Sequence, residues 1–202
     1  MGTVREILEG LAGGDPVPYL QDPRPEIRRL AVAACAGLGS TAIGPLIGIS
    51  AGDSDDDVRA EALEVLGGFG PAAYEAVRSQ CDDSSVRVAE AATTALGEIG
   101  DPAAVPWLLA TCAGHEAPLV REAAIAALGA IGDDRAVPAL LEAVRSGKPQ
   151  IRRRAVVALT AFDGPEVEAA VAAARLDRNP MVREVAEMVL GREVTADRPV
   201  DG

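Results

Sequence analysis

Large rings are nearly missing from this chain. Aromatic residues make up 2% of its 202 residues, namely Tyr19, Phe69, Tyr74, Trp107 and Phe162. A core so poor in rings must be filled by Ala, Val, Leu and Ile, which favours close helix packing over a β-sandwich. Lysine occurs once, at Lys148, and Lys plus Arg total 19 against 31 Asp plus Glu, a net charge of −12. Such a surface repels phosphate backbones and anionic headgroups, so neither nucleic acid nor a membrane is expected as a partner. The three cysteines, Cys35, Cys81 and Cys112, are far apart and form no CxxC pair. They offer no disulfide framework and suit a reducing compartment. Arg5, Glu6, Glu9 and Asp15 interrupt any apolar signal-peptide core at the start. GxSxG, P-loop and Cys–His metal spacings are missing as well. The expectation is a cytoplasmic protein without cofactor or metal.

The chain does have internal repetition. The segment Val120-Arg-Glu-Ala-Ala-Ile-Ala-Ala-Leu-Gly-Ala-Ile-Gly132 recurs as Val58-Arg to Gly70 and as Val88-Ala-Glu to Gly100. Weaker copies begin at Ile27, Ile151 and Val182, so the opening residues are separated by 31, 30, 32, 31 and 31. A degenerate copy precedes them, opening near Val4 with its second half at Val17-Pro-Tyr-Leu20. Fixed periods of this length mark arrays of stacked supersecondary units.

Each unit reads as a helical hairpin. Val120, Ala123, Ala124, Ala127, Leu128 and Ile131 make one apolar helical stripe. Gly132 closes that helix, Asp133 and Asp134 form a cap and turn, and Ala136–Val144 starts the second helix with Pro138 in its first turn. Such a hairpin cannot bury its stripe alone, so neighbours must stack into a right-handed superhelical array. The 23 uncharged residues Leu30–Gly52 could span a bilayer by length. Their register and the interrupting Gly37, Gly39, Gly44, Pro45, Gly48 and Gly52 place them in the array instead.

The pattern Val/Ile-Arg-x-x-Ala-x-x-Ala-Leu-Gly-x-Ile-Gly followed by Ala-Val-Pro-x-Leu-Leu resembles HEAT-like repeats of the phycobilisome-lyase type, over about residues 17–191. The resemblance implies an all-α, right-handed α-solenoid of about six two-helix repeats. The repeat period places residues 1–191 in one array, with repeats starting near 4, 27, 58, 88, 120 and 151 and a terminal helix at 180–191, and the composition of 192–202, with Asp197, Pro199 and Gly202, reads as a disordered tail. Proteins with such repeats include scaffolds, bilin-attaching lyase subunits, a DNA glycosylase group and an iron-dependent hydroxylase group, so the resemblance leaves function open.

Five arginines, Arg28, Arg59, Arg121, Arg152 and Arg183, follow the period, with Ala89 at the skipped position. A cation near a helix N-terminus is mildly unfavourable, so each should have a partner. An internal salt-bridge ladder to loop carboxylates is expected, with a local change of twist around residues 86–90; a line of guanidinium groups for an anionic ligand is the alternative. The acidic loop residues Asp53, Asp55, Asp56, Asp57, Asp82 and Asp83 should share one edge, either as helix N-caps or as a surface for a basic partner.

In solenoids of this type the second helices line a concave binding surface. Aligning them places Glu75 and Trp107 in one row, Gly48, Arg78 and Glu142 in the next, and Arg145 and Arg175 beyond. Trp107 either looks into the groove as an anchor or fills a gap between repeats. Gly44, Gly48 and Gly52 leave bare backbone on one helix face, open to a partner or packed against the N-terminal helix. His115, in Gly114-His-Glu116, is a lone loop histidine expected to face solvent and cannot build a di-iron centre. Asp82 and Asp83 should raise the Cys81 thiol pKa and leave it inert.

The expected function is a scaffold or adaptor that holds a basic protein or peptide through the concave second-helix surface. A bilin-lyase-like or other small-molecule enzyme near Trp107 is the alternative. Homodimerisation through Met181, Val185, Met188 and Val189 of the terminal helix is a further possibility.

Overall fold

A computed structural model describes residues 9, 11 and 13–191, and every element with regular hydrogen bonding among them is helical. First helices of the hairpins are α1 (Pro25–Cys35), α3 (Asp56–Gly67), α5 (Val86–Ile99), α7 (Pro118–Ile131) and α9 (Pro149–Leu159). Their second helices are, in chain order, α2 (Ile43–Gly52), α4 (Tyr74–Ser79), α6 (Val105–Gly114), α8 (Val137–Ser146) and α10 (Pro165–Ala174). Helix α11 (Pro180–Leu190) is the last helix of the stack among the described residues. The start near residue 4 and the tail 192–202 lie outside the described residues. Within the degenerate first repeat the described residues include a 3-10 turn, Val17–Gln21, whose Leu20 is buried beside α1.

The expected stripe is the one that is buried. In α7, Val120, Ala123, Ala124, Ala127 and Leu128 are buried and Ile131 is half-buried. Gly132 at its end takes φ 69°, and Gly100 ends α5 at φ 72°. Both are left-handed conformations that only glycine adopts without strain. Leu46, Leu66, Leu96, Leu108, Leu128, Leu140 and Leu159 are fully buried and string one apolar core along the array.

Consecutive first helices pack directly on one another, whereas consecutive second helices touch little until α8 meets α10. The close layer depends on a glycine with no side chain to spare. A methyl on Gly97 would stand 2.7 Å from the Ala127 Cα, and one on Gly129 would stand 2.7 Å from the Ala158 Cα. Gly67 meets Ala95 in the same way, at 3.2 Å. The first glycine of each Leu-Gly-x-Ile-Gly motif is therefore a contact residue and the second a helix terminator. Helix α5 packs as closely on α3 as on α7, so the missing arginine at 89 leaves no loosening in this layer.

The stretch Pro25–Gly52 is apolar and long enough to cross a membrane by composition. It folds as two helices, α1 and α2, joined by a 3-10 segment, Ala36–Ala42, that kinks at Gly39 with a φ of 62°. Both halves supply buried side chains to the common core.

Candidate functional site

The loops joining each second helix to the next first helix all lie on one edge, and there the arginine ladder is laid out. Each ladder arginine donates to a backbone carbonyl five or six residues back. Arg28 reaches Asp22, Arg59 reaches Asp53, Arg121 reaches His115, Arg152 reaches Gly147 and Arg183 reaches Asp177. The second half of the rung is a carboxylate from the next loop. Arg28 holds Asp53 through Nε and Nη2, both at 2.7 Å, and Arg152 holds Asp177 with the same fork at 2.7 Å. Arg59 is looser, 3.4 Å from Asp83 and 2.8 Å from Asp56. Arg152 is 3% exposed, among the few charged residues a protein encloses, and its fork satisfies the carboxylate as well as the cation.

The acceptors carry a second task. Asp53, Asp83 and Asp177 each also accept the N–H two residues ahead, at 2.9, 2.7 and 2.8 Å. Hydrogen bonding to Arg152 holds the Asp177 carboxyl below the usual range. For Asp53, burial pushes the other way, but the Arg28 fork and the Asp55 N–H win and its pKa is also lowered. The acidic edge is thus mostly engaged within the chain. Asp55 caps α3 by accepting from the Asp57 and Val58 N–H groups, Asp57 lies 3.6 Å from Arg87, and Asp82 lies 3.4 Å from Arg78. No group of three or more His, Cys, Asp or Glu side chains suited to a metal occurs among the described residues.

Two middle rungs are incomplete. At one, Ala89 stands where the arginine belongs, and His115 replaces the next aspartate. His115 is half-buried rather than solvent-facing, because its Nδ1 takes over the capping task and accepts the Ala117 N–H at 3.1 Å. A recess of about 500 Å³ lies there, lined by Asp82, Asp83, Ala89, His115 and Glu116. At the other rung Arg121 is present, but the position that should supply its carboxylate is Gly147.

On the second-helix face the structure brings Arg78 and Trp107 together, with the guanidinium carbon 4.6 Å from the ring centroid. Trp107 is half-buried and packed against the core, so it fills the gap between α4 and α6 rather than standing free. Glu75 is exposed beside it. Glu142 lines a recess between α6 and α8, and Arg145 lines another between α8 and α10. Arg175 is turned to the end of the stack, donating to the Gly191 carbonyl at 2.9 Å. Among the described residues nothing lies within 4 Å of a methyl built on Gly44, Gly48 or Gly52, and all three glycines are exposed. Met181 and Met188 on α11 are 53% and 69% exposed. The Cys81 thiol is pushed up to about 12, mainly by burial; Asp82 adds to this and Arg78 opposes it. The acidic neighbours are therefore the lesser cause of its inertness.

Sequence reasoning found the arginines and expected loop carboxylates for them, but did not say which carboxylate meets which arginine, nor that each arginine also takes a loop carbonyl. The signal was present: Asp22, Asp53, Asp83, His115, Gly147 and Asp177 precede the ladder positions by five or six residues throughout.

This is an α-solenoid of stacked helical hairpins with a charged ladder along one edge. The sequence matches the HEAT repeats family over residues 16–85, 45–114, 75–160 and 109–191, and the chain belongs to that family. A search of curated proteins found no match. Among solved structures the chain is similar to YibA of Escherichia coli, with a TM-score of 0.65 and 16% identity over 94% of this chain and 75% of that one. It is also similar to a chain in the complex of CpcE and CpcF of phycocyanin lyase from Nostoc sp. PCC7120, with a TM-score of 0.62 and 24% identity over 74% of this chain and 98% of that one.

Proposed function

We propose that the chain is a binding module that holds a basic protein or peptide segment against the second-helix face and the ladder edge beside it. The observation that carries this reading is the recess at Ala89. A rung built for a guanidinium lacks one there, while Asp82, Asp83 and Glu116 still line the space. Asp83 is held by Arg59 at 3.4 Å, against 2.7 Å in the closed rungs, which leaves acceptor capacity for an arginine from outside. The net charge of −12 would steer such a partner toward the array. Trp107 with Arg78, and Glu75 and Glu142 on neighbouring helices, form the continuation of the surface. The exposed methionines of α11 make that end a candidate contact for a second copy.

Titration with an arginine-containing peptide at low and high salt tests the reading. Binding should weaken between about 0.05 M and about 0.5 M salt as screening sets in. A double change, Asp83→Asn with Glu116→Gln, should weaken it further. Binding that ignores both salt and the double change would overturn the reading.

A further inference from the structure

The rung at Arg121 is incomplete in the opposite sense to the rung at Ala89, and it points to a different ligand. Arg121 is half-buried, and one Nη donates to the His115 carbonyl. No carboxylate among the described residues pairs with it, and its Nε and remaining Nη protons have no partner among them. Arg183 also lacks a carboxylate, but it belongs to the last helix and has no following loop among the described residues.

The cause is local. The α8–α9 loop is Gly147 and Lys148, whereas the α2–α3 loop is Asp53 to Asp55 and the α6–α7 loop is His115 to Ala117. With one residue fewer, Gly147 is drawn in so far that a Cβ on it would lie 2.5 Å from Ile151 Cγ2 and 2.6 Å from the Ala143 carbonyl. No aspartate fits, and Pro149 lacks the N–H that such an aspartate would cap two residues on. The place vacated opens into a recess of about 460 Å³ between α6 and α8. Leu109, Cys112, Ile125 and Ile151 give it apolar walls; Lys148 and Glu142 are both exposed and both line it.

We propose that this recess binds a carboxylate on a short aliphatic stem, with the carboxylate taken by the Arg121 fork and the stem laid against the apolar walls. The same chain shows what completes such a rung, since Arg28 and Arg152 each take a carboxylate through Nε and Nη2 at 2.7 Å. A volume near 460 Å³ lies in the usual range for small-ligand sites. The inference is independent of the basic-partner reading, because it concerns another rung and a ligand of the opposite charge.

Calorimetric titration of the full chain with hexanoate, hexanol and a leucine-ended tetrapeptide, as free acid and as amide, tests it. Hexanoate should bind in the range of about 1 mM or tighter. Hexanol should bind at least about tenfold more weakly. Arg121→Gln should reduce hexanoate to the hexanol level, while Arg135→Gln, on the opposite edge, should not. Ser146→Asp puts a carboxylate one residue before Gly147, on the lining of the same recess as Arg121. It should close the rung from within and lower hexanoate affinity without loss of fold, so the test survives if Arg121→Gln folds poorly. Preference for the peptide acid over both its amide and hexanoate would support the site and assign its carboxylate to a chain end. Failure of both acids to bind, or binding that persists in both Arg121→Gln and Ser146→Asp, overturns it.

Discussion

Arg152 and Arg121 occupy the same place in successive repeats, and their surroundings differ in one respect. The loop after Arg152's hairpin supplies Asp177, and the guanidinium is enclosed with two 2.7 Å bonds to that carboxylate and a third, also 2.7 Å, to a carbonyl. The loop after Arg121's hairpin is only Gly147 and Lys148, against Arg175 to Asn179 after Arg152's, and it supplies glycine. One motif thus makes a structural clamp in one repeat and an unsatisfied cation beside a recess in the other. In an array, a change of one loop residue alters which groups meet without disturbing the helices, because each repeat contacts only its neighbours.

Stability measurements on the two arginines would sharpen this contrast most. Arg152→Ala leaves Asp177 without its partner and should cost about 3–5 kcal/mol in urea unfolding. Arg121→Ala forfeits one bond to a carbonyl and should cost about 1 kcal/mol. Equal losses would break the comparison.

Glycines carry the same distinction between filled and open places at a smaller scale, and here the sign should reverse. Gly129→Ala drives a methyl into the Ala158 backbone and should destabilise by about 1–3 kcal/mol. Gly48→Ala meets nothing within 4 Å among the described residues and should stabilise by about 0.5–1 kcal/mol through helix propensity. Thermal melting of the two variants side by side decides it.

A smaller effect is expected from pH. The Asp177 pKa is lowered in the folded chain, so its contribution is complete above the unfolded carboxylate value of about 3.9 and is lost as pH falls through the folded value. The Tm gap between the parent and Arg152→Ala should therefore narrow below about pH 4, while the gap for Arg121→Ala stays flat. The smallest change should come from Arg78→Ala, which removes the cation over Trp107 at a cost of about 0.5–1 kcal/mol.

Much of this molecule was legible before its coordinates. The period placed the hairpins, and the stripe from Val120 to Ile131 is the buried one. The expectation that the ladder arginines meet loop carboxylates holds for Arg28, Arg59 and Arg152. Arg121 escaped it because its guanidinium has no charged partner among the described residues, and absence of a contact leaves no trace in a one-dimensional pattern. Trp107 could not be decided either: the pattern put it on the second-helix face, but only packing showed the Arg78 guanidinium over its ring. For the acidic loops the pattern offered helix N-caps or a partner surface, and the structure engages most of these carboxylates as N-caps and ion pairs within the chain.

What the amino-acid order settled by itself is the repeat: helix lengths, the apolar stripe and the terminating glycines are local consequences of spacing, set by residues three to twelve apart. What the tertiary structure decided is which rungs close. That depends on side chains about 25 residues apart arriving within hydrogen-bonding distance, and a single residue in an intervening loop changes whether they do.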